Sequence, residues 1–124
     1  IQQHAMHAAA DATPISFILP VQERQSSLVE QINSCFKFSE EYPGFCEIII
    51  VTDDIEDEMV YLMWAAMKLN KVNHPTVRTK MIRYTTKLDI NELIETGTKH
   101  ASGQKIAVIL KDYFILYSNW KIRA

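Results

Sequence analysis

The chain has 124 residues, 48% hydrophobic and 23% charged; that is the profile of one ordinary globular domain, which buries roughly two thirds of its unfolded surface and needs no disulfide or structural metal. Thirteen Lys and Arg against 15 Asp and Glu leave a formal charge of −2, which argues against a binder that works by neutralising nucleic-acid phosphates. Apolar runs reach about eight residues, far short of the roughly 20 that cross a bilayer, and no basic segment leads into an apolar one, so neither a transmembrane span nor a secretory leader is expected.

The two cysteines, Cys35 and Cys46, lie among apolar neighbours and read as reduced core thiols, which favours an intracellular, cytoplasmic protein. Residues 1–13 (IQQHAMHAAADAT) lack periodicity and read as a tail, with one domain over 14–124. His4 and His7 have the spacing of a helical chelate but no third ligand nearby, so they belong to that solvated tail.

From Thr13 onward short apolar runs alternate with segments of helical period, the signature of βα units. The expected fold is a three-layer αβα domain with a mostly parallel sheet of four or five strands. Residues 15–20 (ISFILP) form a first strand, apolar enough to be covered on both faces and stopped by Pro20. Ser27 and Glu30 have capping-box spacing, and Leu28, Ile32, Cys35 and Phe36 form the apolar stripe of a first helix. A turn at 41–44 (EYPG) precedes a β-branched second strand at 46–52 (CEIIIVT). An acidic run, Asp53, Asp54, Glu56 and Asp57, opens a second helix whose buried stripe is expected at Val60, Met63, Trp64 and Met67. Clustered acids at a helix start suit its dipole; at the carboxyl end of a parallel strand they are also placed to hold a nucleotide or cation.

A third strand at 77–84 interleaves Arg78, Lys80 and Arg83, as an exposed face or edge does. Asp89 caps a third helix with Ile90, Leu93, Ile94, Gly97 and Ala101 inward and Gly103 as its C-terminal cap. Gly97 inside that helix points to the close approach of another backbone. A fourth strand at 105–110 is followed by Lys111, Asp112 and an apolar run at 113–118. Lys111 and Asp112 also fit the two-residue loop of a hairpin, in which case the strand end is a turn and not a site.

Three stretches carry a more specific signal: 18–24 (ILPVQER), 47–57 (EIIIVTDDIED), and Gly97-x-x-x-Ala101-x-Gly103 with the strand that follows. Together with the element order they resemble the nucleotide-binding half of glycosyltransferase family 2, which has the GT-A fold and transfers a hexose from a nucleoside-diphosphate sugar. The resemblance covers about residues 14–112. It implies a nucleotide site at Pro20, Gln22, Asp53, Asp54, Lys111 and Asp112, with Asp53 accepting from the base. Thr52 replaces the first Asp of the family's Asp pair, Asp54 its Gly, Ile55 its Ser and Glu95 its Asn. The family's metal-binding Asp-x-Asp is Leu110-Lys111-Asp112 here, so Asp112 alone remains for Mg or Mn and metal-dependent transfer is disfavoured; Lys111 can partly offset diphosphate charge. The chain ends soon after Asp112, leaving no acceptor-binding half and no catalytic base for it within these residues. An alternative is a non-catalytic module that keeps this fold and acts through self-association or a partner protein, with Tyr113, Phe114, Tyr117 and Trp120 as an aromatic interface.

Overall fold

The structure is a computed structural model in which residues 12–22 and 27–110 are described, together with the backbone of 114–117. In chain order the elements are β1 (Ile15–Val21), α1 (Leu28–Glu41), β2 (Cys46–Thr52), α2 (Asp57–Asn73), β3 (Arg78–Arg83), α3 (Ile90–His100), β4 (Lys105–Ile109) and β5 (Phe114–Tyr117). They build one five-stranded sheet of order β3-β2-β1-β4-β5. The first four strands are parallel and β5 pairs antiparallel with β4. No helix among the described residues is long and apolar enough to cross a membrane.

Crossover handedness explains the layers. Right-handed connections from β1 to β2 to β3 lay α1 and α2 on one face, and the return to β4, on the other side of β1, lays α3 on the opposite face. Side chains alternate accordingly. Ile15, Phe17, Leu19 and Val21 of β1 and Ile48 and Ile50 of β2 pack against Leu28, Ile32, Cys35, Phe36, Met59 and Met63. Ile18, Ile49 and Val51 pack with Leu93, Ala101, Ile106 and Val108 on the α3 side. β1 and β2 are buried along their whole length, which is why both read as continuous apolar runs. β3 forms the sheet edge, as its interleaved basic residues imply, and both its ends, Arg78 and Arg83, are exposed.

Local chemistry departs from the sequence reading at several points. Ser27 occupies the N-cap of α1 but makes no side-chain cap hydrogen bond, so the capping box expected with Glu30 does not form. It forms at α3 instead: Asp89 accepts from the Glu92 N–H at 2.8 Å and Glu92 from the Asp89 N–H at 3.0 Å. The buried residues of α2 are Met59, Met63, Ala66 and Met67, whereas Trp64 is 48% exposed. A helix with apolar residues all round leaves periodicity unable to choose the inner side. Strand β1 also runs past Pro20 to Val21.

The amino-terminal edge of the sheet holds a buried polar cluster. Glu47, fully enclosed on the α3 side of β2, accepts from the Ser16 hydroxyl at 2.7 Å, the Ser102 N–H at 2.9 Å and the Ser102 hydroxyl at 3.2 Å. Its second oxygen faces the Lys80 ammonium at 3.4 Å. Ser16 Oγ in turn accepts from the Gly103 N–H at 2.9 Å. Burial alone raises a carboxyl; here the Ser102 and Ser16 donors and the Lys80 charge outweigh it and hold Glu47 below its ordinary range. The cluster ties the end of α3 to β1 and β2.

Both motif glycines serve this packing. A Cβ on Gly103 would lie 2.8 Å from the Ile15 carbonyl carbon and the Ser16 nitrogen, backbone that cannot withdraw. The C-cap of α3 is Ala101, not Gly103. A Cβ on Gly97 would lie 2.5 Å from Ile18 Cγ2, so what approaches that helix is a side chain rather than the backbone expected. Gly103→Ala is therefore expected to destabilise by about 2–3 kcal/mol. Gly97→Ala should cost less, because Ile18 can repack and alanine adds about 1 kcal/mol of helix propensity. Urea unfolding of the two variants checks the order; equal losses would contradict it.

The far ends of α1 and α2 are joined by a titratable contact. His74 Nε2 lies 2.7 Å from Glu40 Oε2, and Nδ1 lies 2.9 Å from the Asn70 carbonyl. The bond to Glu40, then that to Asn70, raise the His74 pKa above its ordinary 6.5. A raised pKa stabilises fully below the unfolded value and is lost as pH rises through the folded one. Glu40→Gln should accordingly lower the melting temperature below pH 6.5 and leave it nearly unchanged well above, as a pH series of thermal melts would report.

Candidate functional site

In an open α/β sheet the ligand crevice opens at the carboxyl ends of the strands where the order reverses. Here the reversal lies between β1, whose following helix covers one face, and β4, reached from the other face. Pro20 widens that point. Val21 turns its carbonyl to β2, accepting from the Asp53 N–H at 3.4 Å. Alternation then turns the amide side of Pro20 towards β4, where it has no N–H to give. The β1–β4 register accordingly stops at Ile18↔Val108, while β1–β2 continues to Val21↔Thr52.

The acidic run after β2 is divided by its surroundings. Asp54, Glu56 and Asp57 face solvent. Asp57, in the first turn of α2, pairs with Arg83 at 2.7 Å, and Arg83 also donates to the Ile55 carbonyl at 3.0 Å. Ile55, in the place of the small residue the resemblance calls for, turns into the α1–α2 core with Met59 rather than into the cleft. Thr52 is fully buried and donates to the Asp53 carbonyl at 3.1 Å.

Asp53 alone turns inward. It is 1% exposed; Oδ2 accepts from the Leu88 N–H at 3.2 Å, and Oδ1 is buried with no hydrogen-bond partner. The segment after β3 folds across this carboxylate and is fastened on three sides. Gln22 donates to the Leu88 carbonyl at 2.7 Å, the Asp54 N–H to the Thr86 carbonyl at 3.3 Å, and Lys87 to the Asp54 carbonyl at 2.8 Å. Sequence reasoning missed Leu88, Thr86 and Lys87, because they act mostly through backbone groups that any residue type supplies.

Pro20, Gln22, Asp53 and Asp54 thus share one edge of the sheet. β4 ends at the same edge, and the carbonyl of Leu110, just past it, accepts from Gln31 of α1 at 2.6 Å. β5 pairs antiparallel with β4, Ile109 opposite Phe114, as in the hairpin that is the alternative to a site at this strand end. Lys111 and Asp112 lie outside the described residues, as do the side chains of Tyr113, Phe114, Tyr117 and Trp120. Among the described residues no three of His, Cys, Asp or Glu gather as a metal-binding group. Burial, with Cys46 beside it, pushes the Cys35 thiol up to about 12, and burial pushes Cys46 to about 11, so neither is a nucleophile at neutral pH.

A mostly parallel sheet with helices on both faces, its order reversing between β1 and β4, defines a Rossmann-type α/β domain. Within that class the fold is glycosyltransferase-like. The chain is similar to the mannosyltransferase PcManGT from Pyrobaculum calidifontis, solved in complex with GDP-Man and Mn2+, with a TM-score of 0.61 at 15% sequence identity over 84% of this chain. It spans 29% of the length of that chain. No family model and no curated protein matches the sequence.

Proposed function

We propose that this domain is the nucleotide-binding half of a family-2-type glycosyltransferase and takes a nucleoside-diphosphate sugar along the carboxyl edge of β1, β2 and β4. The observation that carries the reading is Asp53: a carboxylate out of water with one oxygen held by Leu88 and the other lacking a donor. Leaving such a group unpaired costs about 1–3 kcal/mol, which an N–H on a nucleoside base recovers. Gln22 holds the segment that encloses the base position, Pro20 keeps the switch point open, and Asp54 stands at the rim. Lys111 and Asp112 fall between antiparallel β4 and β5, outside the described residues, and are assigned no role in this reading. The described residues do not make up a metal set. The acceptor and the base that deprotonates it are assigned to protein outside this domain, and the two free thiols are in keeping with an intracellular location.

Calorimetric titration with UDP, GDP and their sugars, with and without Mn2+, tests the reading. Saturable binding of at least one nucleotide is expected. Absence of heat or thermal protection at millimolar concentrations of all of them would instead favour a non-catalytic interaction module on the same fold.

A further inference from the structure

The carboxylate assigned to a nucleoside base is out of a ligand's reach in the free domain. Asp53 is 1% exposed, and its unpartnered oxygen, Oδ1, is buried. Among the described residues the cover is the short segment between β3 and α3, whose two ends are firm. The Tyr84 N–H bonds the Thr52 carbonyl at 2.9 Å, and Asp89 sits in the capping box of α3. The residues between them are held differently. Thr85, Thr86 and Lys87 are exposed, and only Leu88 turns an apolar side chain inward, half-buried against the α3-side core. The rest of the hold is polar: the Leu88 N–H on Asp53, Gln22 on the Leu88 carbonyl, the Asp54 N–H on the Thr86 carbonyl and the Lys87 ammonium on the Asp54 carbonyl. The Lys87 bond is exposed and those of Leu88 are partly buried, so water replaces them at small net cost. A segment with little buried apolar surface and solvent-accessible hydrogen bonds opens well before the buried strand beneath it does.

We propose that residues 85–88 are a gate, lifting as one piece to admit the base to Asp53 Oδ1 and closing again with the Leu88 N–H back on Oδ2. The inference rests on the reading of Asp53 as the base acceptor and adds how that site is entered. The seam is cross-laced: Leu88 donates from the gate to Asp53, and Asp54 donates from the strand side to Thr86 of the gate. Neither bond is reached without parting the other, so the segment moves as a unit. Lys87 is the latch. Its ammonium lies in solvent and holds only a backbone carbonyl, so its loss loosens the gate without touching the core. Because the gate closes again over the base, it sets how fast the nucleotide enters and leaves more than how tightly it is held.

Hydrogen exchange of the free chain tests the motion without any nucleotide. The Leu88 and Asp54 amides should show equal protection, about 100-fold or more below that of Ile50 in the buried middle of β2. Lys87→Met should lower the protection of both by the same factor, about three- to tenfold, and leave Ile50 unchanged. Stopped-flow binding of ribose-labelled fluorescent UDP and GDP then tests entry. Lys87→Met should speed association and dissociation together by about that factor, with affinity kept within about twofold. Loss of the lysine charge by itself slows the approach of an anion, so it cannot imitate this result. Unequal protection of the two amides, or protection equal to that of Ile50, overturns the gate whether or not a nucleotide binds. So does a variant in which dissociation alone quickens and affinity falls, which would make the segment a fixed wall. Amides that open together in a chain that binds neither nucleotide uphold the moving segment and refute instead the reading of Asp53.

Discussion

Asp53→Asn should weaken nucleotide binding about 10- to 100-fold while leaving the fold nearly as stable as before. The two expectations come from one geometry. The amide keeps the shape of the carboxylate, so one of its two groups faces Leu88 and the other faces the proposed base position. If its oxygen holds the Leu88 N–H, its NH2 confronts the N–H of the base, donor against donor. If it is reversed, the segment carrying Leu88 loses its anchor. Either arrangement forfeits a charge-assisted bond worth about 1.5–3 kcal/mol, the origin of the fold-change. Stability changes less, because Oδ1 has no partner in the free domain, and replacing the charge there removes a desolvated oxygen as well as a bond. Titration calorimetry reports the first effect and thermal melting the second. Unchanged affinity in Asp53→Asn, with the wild type binding well, would remove Asp53 from the base site.

Glu47→Ala should give the opposite pattern: a large loss of stability, about 3 kcal/mol, with nucleotide affinity of the folded fraction unchanged. The carboxylate is fully enclosed and serves the Ser16 hydroxyl, two Ser102 donors and the Lys80 ammonium. Truncation leaves the Ser16 and Ser102 donors without an acceptor in the interior and frees Gly103 and the end of α3 from β1. A loss of that size lowers the melting temperature by roughly 10 °C or more in a domain of this length. Affinity should hold because Glu47 lies near the start of β2 and Asp53 just beyond its end. The effect also depends on pH. Because the folded pKa of Glu47 lies below its ordinary 4.5, the stability it supplies is complete above that value and is lost as pH falls through the folded one. The gap between wild type and Glu47→Ala should therefore narrow on acidification below pH 4.5; a gap that widens would mean the carboxylate is not held ionised.

These variants separate two kinds of motif residue that look alike in sequence. Glu47 and Asp53 stand six positions apart in a stretch that reads as one signature. Parity and position give them different work: Glu47 faces α3 at the amino-terminal edge, and Asp53 lies past the strand where the crevice opens. Gly97, Ala101 and Gly103, which belong to the same resemblance, also turn out to serve helix–sheet contact. The parts of the motif that match best are thus largely architectural.

What the sequence determined by itself was whatever local patterning controls. The continuous apolar runs of β1 and β2, the stripe of Leu28, Ile32, Cys35 and Phe36, and Asp89 at the start of α3 all lie where their periodicity or chemistry set them. Such signals work because burial on one face or both fixes the spacing of apolar residues without reference to distant parts of the chain. Tertiary structure decided the rest. It chose the inner side of α2, which apolar residues all round left open, and left Trp64 outside. It also chose which of four clustered acids to enclose, because that depends on backbone from beyond β3 closing over β2. The strand order, and with it the meeting of Pro20, Gln22 and Asp53 at one edge, follows from crossovers between segments far apart in the chain, which no local pattern records.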